Sequence, residues 1–291
     1  MKPIGVVTDS HGGISLEEAE KFGVKVLPMP FYFGDECYYE GVSITREEFF
    51  RRLSEGEKVS TSQPSPEAVM EIWRESLQEY EKILYMPLSS GLSGSCNTAK
   101  MLAQEDEFEG RVFVVDNGRV STPMHIAILD ALELIEEGYS IGKIQEILEA
   151  ARDKMAIYIA VETLEHLKRG GRVTPATAAI GTLLNIKPIL KFDVGILETY
   201  KKCRGMKKAR QEMLMAMKNE FETRFREYYD NNEIHLLAAS SADEATTQEW
   251  IEEIKAYFPG MEVLCDDLSL GLSCHTGEGA LGIGCSCKPK R

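Results

Sequence analysis

The chain has 291 residues, with 33 Lys and Arg against 47 Asp and Glu, a formal charge of −14, 43% apolar residues and 27% charged ones. This composition suits a globular protein of one or two domains with a substantial core and excludes intrinsic disorder. The acidic excess disfavours general nucleic-acid binding, and no apolar run approaches the roughly 18 residues that would span a membrane.

Pro3 to Thr8 is a short apolar strand that enters a polar loop, Asp9-Ser10-His11-Gly12-Gly13. Ser15, with Glu18 three residues on, is a capping box that predicts a helix start. Val24 to Phe33 is expected as one strand and Gly34 to Gly41 as a turn-rich excursion. Thr45 and Glu48 form a second capping box for a helix through Leu53. A loop at Ser60 to Pro66 leads into a helix whose Val69, Ile72, Trp73 and Leu77 share one face. Strand Ile83 to Leu88, loop Ser89 to Gly94, a helix from Ser95, strand Arg111 to Val115 and a helix from Thr122 to Glu137 complete this half. Repeated strand–loop–helix units predict a parallel sheet with helices on both faces, with ligands at the carboxyl ends of its strands.

The second half mixes its elements differently. Strand Ala156 to Val161, a short helix ending at Gly170-Gly171 and a small-residue helix at Thr174 to Leu184 come first. Ile186 to Leu190 and Ile196 to Cys203 are expected as paired strands around a turn at Asp193 to Gly195. A long helix at Met206 to Tyr228, strand Ile234 to Ala239, helix Thr246 to Tyr257 and strand Glu262 to Leu264 follow. The fold class is therefore α/β: an N-terminal parallel-sheet domain, residues 1–153, joined to a C-terminal mixed α+β domain, residues 154–291. Charge follows the same division. Residues 1–150 hold 13 basic and 27 acidic side chains, whereas residues 151–291 hold 20 of each. Seven cysteines, an odd and scattered set, and a short polar N-terminus without a signal-peptide pattern point to a reducing cytoplasm.

The most unusual chemistry is the hydroxyl density of two loops, Thr61-Ser62-Gln63-Pro64-Ser65-Pro66 and Ser89-Ser90-Gly91-Leu92-Ser93-Gly94-Ser95. Each precedes a helix, whose N-terminal amides and dipole suit a small anion, and hydroxyls add neutral donors. Ordinary caps and turns use the same residues, but two such loops at strand ends in one sheet favour an anion site. Ser93 also sits in a Gly-Leu-Ser-Gly strand-to-helix turn, with Asp116 and His275 following, so a serine hydrolase is an alternative. His275 lies among glycines in Cys274-His275-Thr276-Gly277-Glu278-Gly279, which implies close backbone approach. Cys274, His275, Cys285 and Cys287 lack zinc-site spacing, so no metal is expected. Gly170 reads as a helix C-cap, and Arg172 has the chemistry to hold an acidic group. Lys201, Lys202, Arg204, Lys207, Lys208 and Arg210 form a basic run, either a solvated helix start or a partner-facing patch. There is no phosphate-binding Gly-x-x-x-x-Gly-Lys loop for ATP.

Taken together, the motifs resemble the DegV family of bacterial proteins. They are Thr8-Asp9-Ser10, the two hydroxyl loops, Leu164 to Arg172, Ile186-Lys187-Pro188-Ile189-Leu190, Arg204-Gly205 with Lys207-Lys208, and His275-Thr276-Gly277 with Gly279-Ala280-Leu281-Gly282. The resemblance implies a non-enzymatic lipid-binding protein, without a cofactor, that encloses one long-chain fatty acid in an apolar tunnel between two domains. It further implies a partner in some members, a separate ATP-using fatty acid kinase that makes acyl phosphate for phospholipid synthesis, and transient membrane contact. Mapped by motif, Thr61, Ser62, Ser93 and His275 lie at the carboxylate, with Ser90, Gly94 and Arg172 in support. A regulator that senses lipid and binds a protein partner would share this pocket. The sequence departs from the family at Arg119-Val120-Ser121-Thr122-Pro123-Met124-His125, where larger side chains are expected to reshape the tunnel. It departs again at Glu278, which is expected to face solvent.

Overall fold

Alternating apolar runs and capped helices build the N-terminal half. In chain order they are β1 (Lys2–Asp9), α1 (Leu16–Phe22), β2 (Val24–Leu27), β3 (Phe31–Phe33), β4 (Glu36–Tyr38), α2 (Arg46–Ser54), β5 (Val59–Thr61), α3 (Pro66–Glu79), β6 (Tyr80–Met86), α4 (Ser95–Leu102), β7 (Val112–Val114), α5 (Ser121–Glu136) and α6 (Ile141–Ala150). The computed structural model describes residues 2–178, 185–193 and 195–291. Ser15 and Glu18 make the reciprocal capping box. Thr45 caps α2, but the Glu48 side chain turns to Arg51 instead of closing its box. Strands β2-β1-β6-β7 form a parallel sheet. Neighbouring residues of β1 serve opposite faces: Val6 packs with Met124, Ile128 and Ile144 of α5 and α6, and Val7 with Val69, Trp73 and Ala99 of α3 and α4.

The expected strand from Val24 to Phe33 is two strands in two sheets. Pro28 and Pro30 lie between them, and proline cannot donate to a continuing ladder. β3 instead pairs with β4 and β5 in a small antiparallel sheet, so the segment read as a turn-rich excursion includes a hairpin strand. Thr61 ends β5, so the first hydroxyl loop starts at this small sheet and not at a strand of the parallel one. A helix at α6 was not expected; Ser140 caps it, and Ile144 and Ile147 bury its inner face.

The second half forms β8 (Met155–Ala160), α7 (Glu165–Gly170), α8 (Pro175–Ala178), β9 (Ile186–Asp193), β10 (Ile196–Arg204), α9 (Met206–Glu222), α10 (Arg226–Asp230), β11 (Ile234–Ser240), α11 (Glu244–Tyr257), β12 (Val263–Asp267), α12 (Leu270–Thr276) and β13 (Leu281–Cys287). Of the expected small-residue helix, residues 179–184 lie outside the described residues, as does Val194 in the expected turn. The expected helix from Met206 to Tyr228 breaks at Thr223, whose φ of −121° and ψ of −87° end α9. The six strands run β10-β9-β8-β13-β11-β12, antiparallel except for β11 with β12. One face carries Tyr158, Leu236 and Ile283 against Met213, Met217, Trp250 and Ile254 of α9 and α11. The other face, with Ile157 and Phe192, meets Met29, Leu88 and Val120 of the N-terminal half. Among the described residues, no helix is long and apolar enough to cross a membrane.

Candidate ligand-binding site

Where the two halves meet, a cavity of about 1020 Å³, part of it open to solvent, lies against the inner face of the six-stranded sheet. Its walls are mostly apolar, with Met29, Leu88, Leu92 and Val120 on one side and Ile157, Ile159, Phe192 and Leu197 on the other. Gly282 and Gly284 of β13 stand opposite Ile159 and Ile157 in the ladder and also line the cavity.

Part of the polar lining comes from four separate segments: Thr61 and Ser62, Ser93, Arg172, and His275. His275 Nε2 lies 2.9 Å from Thr61 Oγ1. Its Nδ1 is buried without a partner, facing Gly170, where a Cβ would come within 2.1 Å of that nitrogen. An orphaned lone pair costs less than an orphaned N–H, so the proton sits on Nε2 and is donated to Thr61. Burial, reinforced by the Arg172 cation, lowers the His275 pKa to about 3 and keeps the ring neutral. The Thr61 hydroxyl proton is thereby left to donate elsewhere. Ser93 Oγ accepts the Ser95 N–H at 3.2 Å, which leaves its proton free as well. Ser62 is exposed and donates to Gln63 O. Arg172 bridges the halves, with Nε donating to Leu92 O and Nη1 to Gly170 O. Two hydroxyl donors and one guanidinium beside a neutral imidazole can hold a carboxylate without a second buried charge of either sign.

The expected supporting residues divide. Ser90 and Gly94 do not line the cavity: Ser90 Oγ donates to Asp116 at 2.6 Å, and Gly94 starts α4. Gln63 Oε1 accepts the Thr98 hydroxyl, which ties the first hydroxyl loop to α4 behind the second. Gly170 is not the C-cap expected. Gly171, at φ 67°, takes that position, and Gly170 is small because His275 lies on it. A hydrolytic triad has none of its pairings, because Asp116 is held by Ser90 and Lys100 while His275 is committed to Thr61.

The expected reshaping by the Arg119–His125 segment falls on its middle residues. Arg119 is fully buried but turns away, donating to Pro123 O, Ser286 Oγ and Ala151 O. His125 pairs with Asp266 at 3.1 Å, while Val120, Ser121, Thr122 and Pro123 line the cavity. Glu278 is exposed and lies away from the cavity lining, as expected.

His11 escaped the sequence reading, although its loop was marked as a ligand-facing one. Asp9, fully buried and pushed up to about 6 by that burial, accepts from Leu88 N at 2.7 Å and His11 N at 2.9 Å. It thereby fastens the ends of β1 and β6 and turns the His11 ring to the cavity. His11 Nδ1 lies 2.9 Å from Ser269 Oγ, and burial lowers its pKa to about 4. Ser121, with φ of 55°, was also missed; a left-handed serine costs about 1–3 kcal/mol and cannot be read from residue type.

Comparison with known proteins is consistent with this geometry. The DegV family model matches residues 3–288. A DegV domain-containing protein of Deinococcus radiodurans is 30% identical over 283 residues, covering 96% of this chain and 97% of its own. Among solved structures, a DegV family protein from Thermus thermophilus, described by its fatty acid binding, superposes with a TM-score of 0.87 at 36% identity. The match covers 98% of this chain and 99% of that one. DegV from Bacillus subtilis, described as a fatty acid binding protein, gives a TM-score of 0.82 at 29% identity over 99% and 100% of the two chains.

Proposed function

The chain belongs to the DegV family, and we propose that its cavity holds one long-chain fatty acid. In this reading Thr61, Ser93 and Arg172 donate to the carboxylate, with Ser62 at the rim. His275 orients the Thr61 hydroxyl by donating to its oxygen. The observation that carries the proposal is the convergence of these residues, from four segments, on the lining of a mostly apolar cavity. A neutral His275 fits the role of a hydrogen-bond donor better than that of a general base, since a base needs a free lone pair on the serine. The fatty-acid binding described for the Thermus and Bacillus relatives supports the same ligand class.

The protein then acts as a cytoplasmic carrier that presents its ligand to a separate ATP-using kinase, with passing contact at the membrane where acyl products are used. The basic run offers a surface for such a partner. Lys201 and Lys208 pair with Glu212, and Arg210 lies near Glu249 and Glu253. Lys202, Arg204 and Lys207 are exposed and form no ion pair among the described residues. Mass spectrometry of lipid extracted from the purified protein is expected to find about one fatty acid per chain. A lipid-free protein that takes up no acid across a range of chain lengths would overturn the proposal.

A further inference from the structure

The cavity lining holds further polar groups beyond Thr61, Ser93, Arg172 and His275. Ser121 is 6% exposed and lines the cavity, yet its Oγ has no hydrogen-bond partner among the described residues. It opens α5, a helix of 16 residues whose N-cap, Val120, supplies no side-chain oxygen. Ser121 N–H donates to His11 O, and Pro123 has no N–H to offer. Thr122 N–H has no partner among the described residues, and the Thr122 hydroxyl is already spent on Ala238 O. The Thr122 amide of α5 is therefore unspent where the first residues of the helix meet the cavity, and the Asp266 carboxylate, set beside that turn against Thr122 and His125, disfavours an anionic guest there. The His11 ring lines the same cavity. One of its nitrogens is engaged by Ser269, and the other has no partner among the described residues.

A buried hydroxyl without a partner is costly in an apolar wall, and natural interiors seldom leave one so. The nearby groups bear on what it meets. Ser121 Oγ can donate and accept, a helix N-terminus favours a lone pair, and burial keeps His11 uncharged. No cationic side chain joins them in the lining, since Arg119 turns away and Arg172 donates to Leu92 O and Gly170 O. These groups match a neutral oxygen that is both donor and acceptor. We propose that Ser121, with the α5 N-terminus and His11, receives a hydroxyl carried on the acyl chain, so that the ligand class preferred here is a hydroxy fatty acid. The inference rests on the fatty-acid reading above and adds a position along the chain to it.

The test uses the full chain stripped of lipid, in competition binding between octadecanoic acid and monohydroxy-octadecanoic acids whose hydroxyl is moved stepwise along the chain. At least one isomer is expected to bind about threefold to tenfold more tightly than the parent acid, the range of one net hydrogen bond. Ser121→Ala is expected to bring that ratio to about one. Ser121→Gly removes the same hydroxyl and tolerates the positive φ, so it reads the ratio where the alanine variant does not fold. The inference is overturned if no isomer exceeds the parent acid, the result for a Ser121 hydroxyl met by water, or if the preference survives both variants. Binding of the parent acid without isomer preference overturns the inference alone. Failure of every acid to bind overturns the fatty-acid reading and the inference with it.

Discussion

Two imidazoles, one buried and one half-buried, join the halves of the molecule, and their surroundings shift them in opposite directions. His275 of α12 meets the Thr61 hydroxyl at the polar end of the cavity. His125 of α5 meets the Asp266 carboxylate at the end of β12. Burial disfavours the imidazolium at both places. At His275 nothing opposes it, and Arg172 adds to it, so the ring stays neutral. At His125 the Asp266 carboxylate outweighs burial and raises the pKa above the ordinary histidine value. The same side chain thus serves as a neutral donor to a cavity-lining hydroxyl and as a proton-retaining partner of a carboxylate between secondary-structure elements. The partner decides which.

The largest expected effect falls on the pair of His125 and Asp266. His125→Ala leaves the Asp266 carboxylate buried and unpaired, and is expected to cost about 3–5 kcal/mol in urea unfolding. A loss below about 1 kcal/mol would show that the pair does not hold the halves together. Next comes Thr61→Ala, expected to weaken fatty-acid binding by about 1.5–3 kcal/mol, with a smaller loss of about 1 kcal/mol in unfolding stability because the His275 N–H is left without its acceptor. Equal losses in stability and binding would erase the contrast between the two histidines.

The smallest effect is in pH dependence, and its sign differs between the two. His125 has a raised folded pKa, so its contribution is complete below the ordinary value of 6.5 and fades as pH rises through the folded value. His275 has a depressed one, so its contribution is complete above 6.5 and fades as pH falls toward about 3. Melting temperature against pH is expected to show a flatter alkaline limb in His125→Gln and a flatter acid limb in His275→Gln. The same limb changing in both variants would contradict the opposite shifts.

Much of the polar cluster was legible because its signals are local. Hydroxyls at helix starts, and a histidine set among glycines, declare themselves within a few residues. Thr61, Ser93, Arg172 and His275 accordingly meet in one lining. What escaped depends on chain segments far apart. β13 reads poorly as a strand because Gly282, Gly284 and Ser286 dilute its apolar pattern and both of its faces are buried, so no alternation shows. The partner of Asp116 could not be chosen by spacing, and it proved to be Ser90. Gly170 looked like a cap, since nothing nearby announces that a ring from residue 275 rests on it. The apolar length of the cavity was equally hidden, for Ile157 and Phe192 would look the same in a solid core.

Met29, Leu88, Val120, Met155 and Phe192 form a small cluster that draws on both halves, while the larger clusters around Trp73 and Trp250 each lie within one half. Four of its five residues, Met29, Leu88, Val120 and Phe192, are also walls of the cavity. On the proposed reading, an acyl chain bound there would add to a packing layer drawn from both halves. Cargo is therefore expected to raise the melting temperature by adding contacts to both halves at once, beside the ligand-independent links of Phe31 and Phe49 to Leu270 and of His125 to Asp266. The melting temperature becomes a measure of cargo.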